Sequence, residues 1–173
     1  MILMDADVVV YEMCSSVEKE TYWGDGLWTL HADAEEAKMK VDDRVASLVD
    51  QVTLAMKYTG EYQILMCFSD TENFRKKIYP LYKANRIGKR KPICYSAVKE
   101  WVKESYNSRQ KPGLEADDVI GILATRNENT VIVSVDKDFM SIPGRFFNFR
   151  KGELIDVSLT DADRSHLYQT LIG

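Results

Sequence analysis

The stretch of residues 113–139 constrains the fold of this chain most, because it joins an acidic helix start to a strand that is apolar throughout. Residues 130–135 (TVIVSV) are rich in β-branched side chains and lack the alternation of a half-buried strand. Such a run is typical of a strand buried on both faces of a parallel sheet. Since ligands of open α/β sheets bind outside the carboxyl ends of the strands, the residues that follow are expected to carry the chemistry.

Carboxylates lie at both ends of this stretch. Glu115, Asp117 and Asp118 lie in the first turn of the predicted helix, and Asp136 and Asp138 follow the predicted strand. Carboxylates held close together repel one another unless cations lie between them, and Mg²⁺ or Mn²⁺ suits such oxygen ligands. A structural alternative stays open at this point. Acidic residues also complement a helix dipole, and Asp138 can cap a short helix that starts at Phe139.

The same pattern recurs earlier in the chain. Residues 2–4 form a short apolar run followed by Asp5 and Asp7, and residues 62–68 (YQILMCF) are followed by Asp70. Strands that alternate with helices predict an α/β fold with a mostly parallel sheet. The sequence therefore predicts that acids from three strands meet at one edge.

Periodicity and turn residues predict the other elements. We expect a helix over residues 8–13, a hairpin over 21–31 that turns at Asp25-Gly26, and a long helix from Asp33 to about residue 58 that Gly60 stops. An amphipathic helix is predicted over residues 95–106 and a single turn over 139–142. Short strands follow over residues 146–149 and 153–157, and Thr160 with Asp163 resembles a capping box that starts a last helix.

Length and composition indicate one domain over residues 1–173 of an ordinary globular protein. No apolar run approaches the roughly 18 residues that a membrane span needs, and the start MILMDAD lacks the basic region of a signal peptide. The three cysteines, Cys14, Cys67 and Cys94, have no CxxC spacing and fit a reducing cytoplasm. His31 and His166 are isolated and predicted to be structural or surface residues.

Positive charge is concentrated in residues 74–92, hereafter the basic segment. Eight lysines and arginines and no acid lie within residues 75–91, whereas the rest of the chain carries 15 basic and 27 acidic side chains. A cationic segment on an acidic body indicates contact with a polyanion, and the interleaved Tyr79 and Tyr82 suit nucleic acid. Residues 82–90 are polar and weakly patterned, and we expect them to be mobile.

Four ordered motifs carry a resemblance to a known family: MDAD, FSDTENFRKKIYPLYKANR, LEADDVIG and VIVSVDKDF. Together they resemble the flap endonuclease / 5′→3′ exonuclease family, and above all its phage 5′→3′ exonucleases, over nearly the whole chain. The resemblance implies a PIN-like or resolvase-like sheet flanked by helices. It also implies an enzyme that hydrolyses DNA phosphodiesters in replication and repair with two Mg²⁺ or Mn²⁺ ions.

The resemblance also implies residue roles. The acids matching the first metal cluster are Asp5, Asp70, Glu115 and Asp117. Those reaching toward the second metal are Asp118, Asp136 and Asp138, with Asp136 placed to serve both. Asp7 lies where the family often has a small polar residue, in the outer shell of the site.

Lys83 and Arg86 match catalytic residues of a helical arch that face the scissile phosphate. Further nucleic-acid contacts are expected from Arg75, Tyr82, Lys89 and Arg90. The implied substrates are DNA with 5′ ends or flaps, and RNA–DNA hybrids, in the cytoplasm of the host cell if the chain is phage-encoded.

One departure from the family is large. The family pattern continues past the last helix into further metal-binding aspartates and a helix–turn–helix element, whereas this sequence stops at Gly173. We therefore expect a weaker second metal site, and a separate chain that supplies the remaining part is a predicted partner.

Three alternative functions stay open at this stage. DADVVV from Asp5 resembles the nucleophile motif of haloacid-dehalogenase-type phosphatases, although that family has no use for LEADD. A non-catalytic nucleic-acid-binding subunit with the same fold would gain nothing from the seven acids. A PIN-type ribonuclease would use the same metals on RNA, and assays on labelled DNA and hybrid substrates distinguish these readings.

Overall fold

A computed structural model describes residues 1–86 and 88–172 and contains a six-stranded sheet, helices on both of its faces and a separate hairpin. The strands are β1 Ile2–Asp5, β2 Lys19–Gly24, β3 Leu27–His31, β4 Ile64–Phe68, β5 Ser108–Gln110, β6 Val131–Ser134, β7 Gly144–Asn148 and β8 Glu153–Val157. The α-helices are α1 Ala6–Val17, α2 Ala34–Ala55, α3 Phe74–Ile78, α4 Tyr95–Ser105, α5 Ala116–Arg126 and α6 Leu159–Ile172. Short 3₁₀ turns cover Ala84–Arg86 and Lys137–Ser141.

The sheet has the order β5-β4-β1-β6-β7-β8, and only β8 runs antiparallel to its neighbour. This confirms the predicted mostly parallel α/β fold. Because β1, β4 and β6 run side by side in the same direction, Asp5, Asp70 and Asp136 lie at or just beyond one sheet edge. That edge is hereafter the acidic edge.

The apolar runs are explained by burial on both faces of the sheet. Alternate residues of one strand point to opposite faces, so Met4 packs with α1, α2 and α4 while Leu3 packs with α5. The apolar core has one cluster on each face of the sheet. In β6, Val133 belongs to the same cluster as Met4, and Ile132 belongs to the same cluster as Leu3. A central parallel strand therefore has no polar face, as residues 130–135 predicted.

The predicted hairpin and the start of α2 are confirmed. Asp25 and Gly26 both have positive φ, 49° and 78°, as a two-residue turn of this hand requires. Asp33 accepts hydrogen bonds from the backbone N–H groups of Glu35 and Glu36. The hairpin exposes its aromatic residues to solvent, and the Trp28 ring packs against that of its cross-strand partner Tyr22, with centroids 4.5 Å apart.

Two predicted boundaries are wrong, and one strand was not predicted. Helix α2 ends at Ala55, not near residue 58, because Lys57 takes the left-handed conformation (φ 51°) that a glycine usually supplies at a helix end. Helix α1 is longer than residues 8–13 because it begins directly after Asp5. Strand β5 was not predicted, since its polar sequence SRQ forms a strand only by pairing with β4 at the sheet edge.

Two predicted caps also lie elsewhere. Helix α6 is capped by Ser158, whose hydroxyl accepts from the backbone N–H of Asp161 at 3.1 Å, and not by Thr160. The turn after β6 is capped by Asp136, which accepts from the backbone N–H of Asp138 at 2.9 Å. Among the described helices, none is both long and apolar enough to cross a bilayer.

Candidate metal centre

The centre of the acidic edge is formed where β1 and β6 end. Asp5 is only 4% exposed, and its Oδ2 accepts a hydrogen bond from the hydroxyl of Ser134 at 2.8 Å. The same hydroxyl accepts from the backbone N–H of Asp136 at 3.1 Å. Ser134 thus fixes the two strand ends to each other and orients one Asp5 oxygen.

The first turn of α5 brings a third carboxylate to this place. Burial, and then the negative charge of Asp117, raise the pKa of Asp5 to about 7. Burial, and then the charge of Asp136, raise the pKa of Asp117 to about 6. These three carboxylates lie close enough to repel one another, which is the arrangement that a divalent cation relieves.

Asp70 is held by the loop that leads into α5. Its oxygens accept hydrogen bonds from the backbone N–H groups of Gly113 (2.7 Å) and Thr71 (2.8 Å) and from the side chain of Gln110 (2.9 Å). The backbone N–H of Gly113, more than any other contact, lowers the pKa of Asp70. Gly113 has a φ of 75°, which leaves glycine as the residue that makes this turn without strain.

The basic segment contacts the start of α5. Both guanidinium nitrogens of Arg75 donate to Asp118, at 2.7 and 2.6 Å, and one also lies 3.5 Å from Glu115. Lys83 Nζ donates to Glu115 Oε1 at 2.6 Å, and the Tyr82 hydroxyl donates to its Oε2 at 2.8 Å. Hydrogen bonds from Arg75 lower the pKa of Asp118. Two of the predicted metal ligands are therefore bound by cations of the chain itself.

Other predicted site residues lie apart from this cluster. The Asp138 carboxylate accepts from Gln169 of α6 at 3.1 Å. Arg90 makes a two-pronged ion pair with Glu18, at 2.6 and 2.7 Å, which lowers the pKa of Glu18 to about 2. Arg86 and Lys89 are exposed, and neither is ion-paired within the described part of the chain.

The donor set has the chemistry that a hard divalent cation prefers, because it consists of carboxylates, and the negative charge of Asp117 helps to raise the pKa of Asp5. Over residues 1–86 and 88–172, however, no three acidic, histidine or cysteine side chains already surround one point closely enough to hold a metal ion. The contacts of Glu115 and Asp118 with the basic segment, and of Asp70 with Gly113, explain this. Metal binding here requires these carboxylates to exchange partners.

Sequence reasoning missed the groups that hold the acids. Ser134 immediately follows the apolar part of its strand, and Ser69 directly precedes Asp70, so a small hydroxyl beside a strand-end acid is a usable signal. Lys99, which binds Asp7, comes from α4 and has no local signal. A cavity of about 250 Å³ lies at the opposite end of the strands, beside Met1, and contains none of the predicted site residues.

The fold and the site define a resolvase-like α/β protein whose acidic edge is covered by a basic segment. Residues 30–161 match the family model described as the 5′-3′ exonuclease N-terminal resolvase-like domain, and the chain belongs to that family. It is 32% identical to the exodeoxyribonuclease of Enterobacteria phage T3 and 31% identical to the exonuclease of Escherichia phage T7. Each alignment covers 99% of this chain but only 59% of the relative.

Solved structures show the same fold. The D15 protein of phage T5, crystallised with metal ions, matches with a TM-score of 0.56 at 13% identity over 90% of this chain and 56% of that one. The T5 D15 flap endonuclease, in a complex with DNA and metal ions, matches with the same score over 57% of its length. At this identity the likeness concerns the fold.

Proposed function

We propose that the chain is a divalent-metal-dependent nuclease, a 5′→3′ exonuclease or flap endonuclease that hydrolyses DNA phosphodiesters. The observation that carries this proposal is the repulsion among Asp5, Asp117 and Asp136 at the edge that the basic segment covers. Acids that destabilise one another, beside cations of the kind that bind phosphate, suit metal-assisted cleavage of a polyanion. Membership of the 5′→3′ exonuclease family supports the same reaction.

The proposed ligands are the seven acids: Asp5, Asp70, Glu115, Asp117, Asp118, Asp136 and Asp138. Two Mg²⁺ or Mn²⁺ ions bound there would supply an activated water and charge compensation on the phosphoryl oxygens. Burial and the hydrogen bond from Ser134 keep Asp5 in one orientation. Asp138, which lies toward α6, is the ligand that must move away from Gln169.

The basic segment holds the substrate. Lys83 and Arg86 are proposed to stabilise the negative charge that grows on the phosphate, with Arg75, Tyr82, Lys89 and Arg90 as further DNA contacts. A backbone phosphate offers Arg75 and Lys83 the same chemistry as the carboxylates that they now bind. Engagement of DNA would therefore release Glu115 and Asp118 for metal.

The test is cleavage of 5′-labelled duplex, 5′-flap and RNA–DNA hybrid substrates in Mg²⁺, Mn²⁺ or EDTA. We expect metal-dependent release of short 5′ products and no cleavage in EDTA. Asp117→Asn, purified identically, excludes a contaminating nuclease and should be inactive. Cleavage in EDTA, or equal cleavage by Asp117→Asn, would contradict the proposal.

A non-catalytic nucleic-acid-binding subunit is the second candidate, because among the described residues the acids are not assembled around one point. Salt-sensitive DNA binding without cleavage in any metal would favour it. Cleavage of RNA alone would favour a PIN-type ribonuclease. Action in the host cytoplasm, in replication and repair, stays a prediction.

A further inference from the structure

A partly buried ion pair lies beside the acidic edge, and neither of its partners, Asp7 and Lys99, is a proposed metal ligand. Asp7 Oδ1 accepts from Lys99 Nζ at 3.0 Å and from the Tyr95 hydroxyl at 2.7 Å. The side chains of Asp7 and Lys99 are 21% and 12% exposed. Since burying two charges costs about as much as their attraction gains, stability alone is a weak reason for such a pair.

Both partners of this ion pair form hydrogen bonds with the backbone of one residue, Ser69. The backbone N–H of Ser69 donates to Asp7 Oδ2 at 2.6 Å, and its carbonyl oxygen accepts from Lys99 Nζ at 3.1 Å. The next residue is Asp70. The peptide groups before and after Ser69 are therefore fixed relative to α1 and α4, and the start of the Asp70 loop is fixed with them.

The side chain of Ser69 extends the same network to α5. Its hydroxyl accepts from the backbone N–H of Ala116 at 3.0 Å. Ala116 stands between Glu115 and Asp117, and Asp7 is two residues from Asp5. A single residue thus connects the three segments that deliver five of the proposed ligands, Asp5, Asp70, Glu115, Asp117 and Asp118.

We infer that Asp7, Lys99 and Ser69 are positioning residues, which set the spacing of the strand-end and helix-start carboxylates before a metal binds. This inference rests on the proposed function. Partners that orient metal ligands act through geometry, and their loss costs metal affinity more than it costs folding.

The electrostatics of Asp7 agree with this role. Burial by itself raises the pKa of Asp7, but the charge of Lys99 and the hydrogen bonds from Tyr95 and Ser69 outweigh it and hold the pKa low. Both Asp7 oxygens are engaged by these three partners in the folded protein. It orients the centre and does not ligate the metal.

The test measures Mn²⁺ binding by calorimetry, without DNA and well below the melting temperature, for Lys99→Met and Ser69→Ala. Lys103→Met is the matched control, because Lys103 lies one turn further along α4, near the same Phe68 ring, but pairs with Glu100 on the surface. We expect both variants to bind Mn²⁺ about tenfold more weakly and the control to bind like the parent. Thermal unfolding in EDTA reports the structural effect separately.

Ser69→Ala keeps the Asp7–Lys99 ion pair and removes the hydroxyl that accepts from Ala116, so it decides the matter if Lys99→Met does not fold. Variants that melt earlier yet bind Mn²⁺ with the parental Kd would overturn the inference and leave a purely structural ion pair. If the parent itself bound no Mn²⁺, the proposed metal centre would fail, and the positioning role with it. The parental titration therefore distinguishes the two failures.

Discussion

Arg75 and Asp118 are joined by two parallel hydrogen bonds of 2.7 and 2.6 Å, which tie the basic segment to the first turn of α5. The guanidinium group of Arg75 thus binds the carboxylate of Asp118, which is one of the proposed metal ligands. Because Arg75 engages both oxygens of Asp118, a metal ion would compete with it for that carboxylate, and we expect the closed basic segment and the loaded metal centre to oppose each other.

Arg75→Ala should therefore tighten Mn²⁺ binding in the absence of DNA. We expect about a fivefold lower Kd, or ~1 kcal/mol, because Arg75 is one-third exposed and the ion pair is screened by solvent. Calorimetric titration measures this. Lys77→Ala is the control, since Lys77 lies on the same helix but pairs only with Glu72 at 3.5 Å. An unchanged or weaker affinity for Arg75→Ala would contradict the competition.

Lys83→Ala should slow cleavage of a 5′-flap substrate at saturating DNA by about 100-fold, because a preorganised cation that stabilises the transition state is lost. DNA binding should also become less salt-dependent, by about one unit of log–log slope per lost phosphate contact. Lys151→Ala, in the exposed turn between β7 and β8, should change neither quantity. Cleavage by Lys83→Ala at the parental rate would remove Lys83 from the catalytic residues.

Asp5→Asn should stabilise the metal-free protein at pH 8. An unfolded aspartate has a pKa of about 3.9, whereas burial and Asp117 raise the folded value to about 7. Between these values the folded state keeps a proton that the unfolded state releases, so stability falls as pH rises through this window. The substitution removes that loss.

We expect the melting temperature of Asp5→Asn in EDTA to exceed that of the parent by at least ~4 °C at pH 8, and the gain to shrink toward pH 4. Asp156→Asn, at an exposed position of β8, is the control. A pH-independent gain, or a loss at pH 8, would show that Asp5 is not under the repulsion described for the acidic edge.

Ser158→Ala should destabilise the protein by ~1 kcal/mol, whereas Thr160→Ala should be nearly neutral. Ser158 satisfies the backbone N–H of Asp161 at the start of α6, and Thr160 lies inside the helix. Chemical denaturation of both variants measures the difference. A larger loss of stability for Thr160→Ala than for Ser158→Ala would show that Thr160 is the cap, as the sequence predicted.

The cap of α6 shows that local sequence is not enough to locate the start of this helix. Residues 158–163 contain two overlapping patterns of a hydroxyl followed three residues later by aspartate, at Ser158 and at Thr160. The strand β8 ends at Val157 and therefore selects the first pattern. Propensity alone does not distinguish them, because the choice is made by tertiary structure.

The acidic edge was predictable because each strand and its acid are adjacent in sequence, and parallel strands bring such neighbours together. The side chains that bind these acids in the folded protein were not predictable from the sequence. Arg75 was expected to bind nucleic acid, yet in the protein alone it binds Asp118, 43 residues away. A guanidinium fits carboxylate and phosphate equally well, and only the folded distance determines which one it meets.

The most direct test of the metal centre is an anomalous difference map from crystals soaked in MnCl₂. We predict a manganese peak beyond the ends of β1 and β6, in contact with oxygens of Asp5, Asp117 and Asp136, with Arg75 and Lys83 released from α5. No peak at this edge in saturating Mn²⁺, or peaks only elsewhere on the protein, would contradict the proposed metal centre.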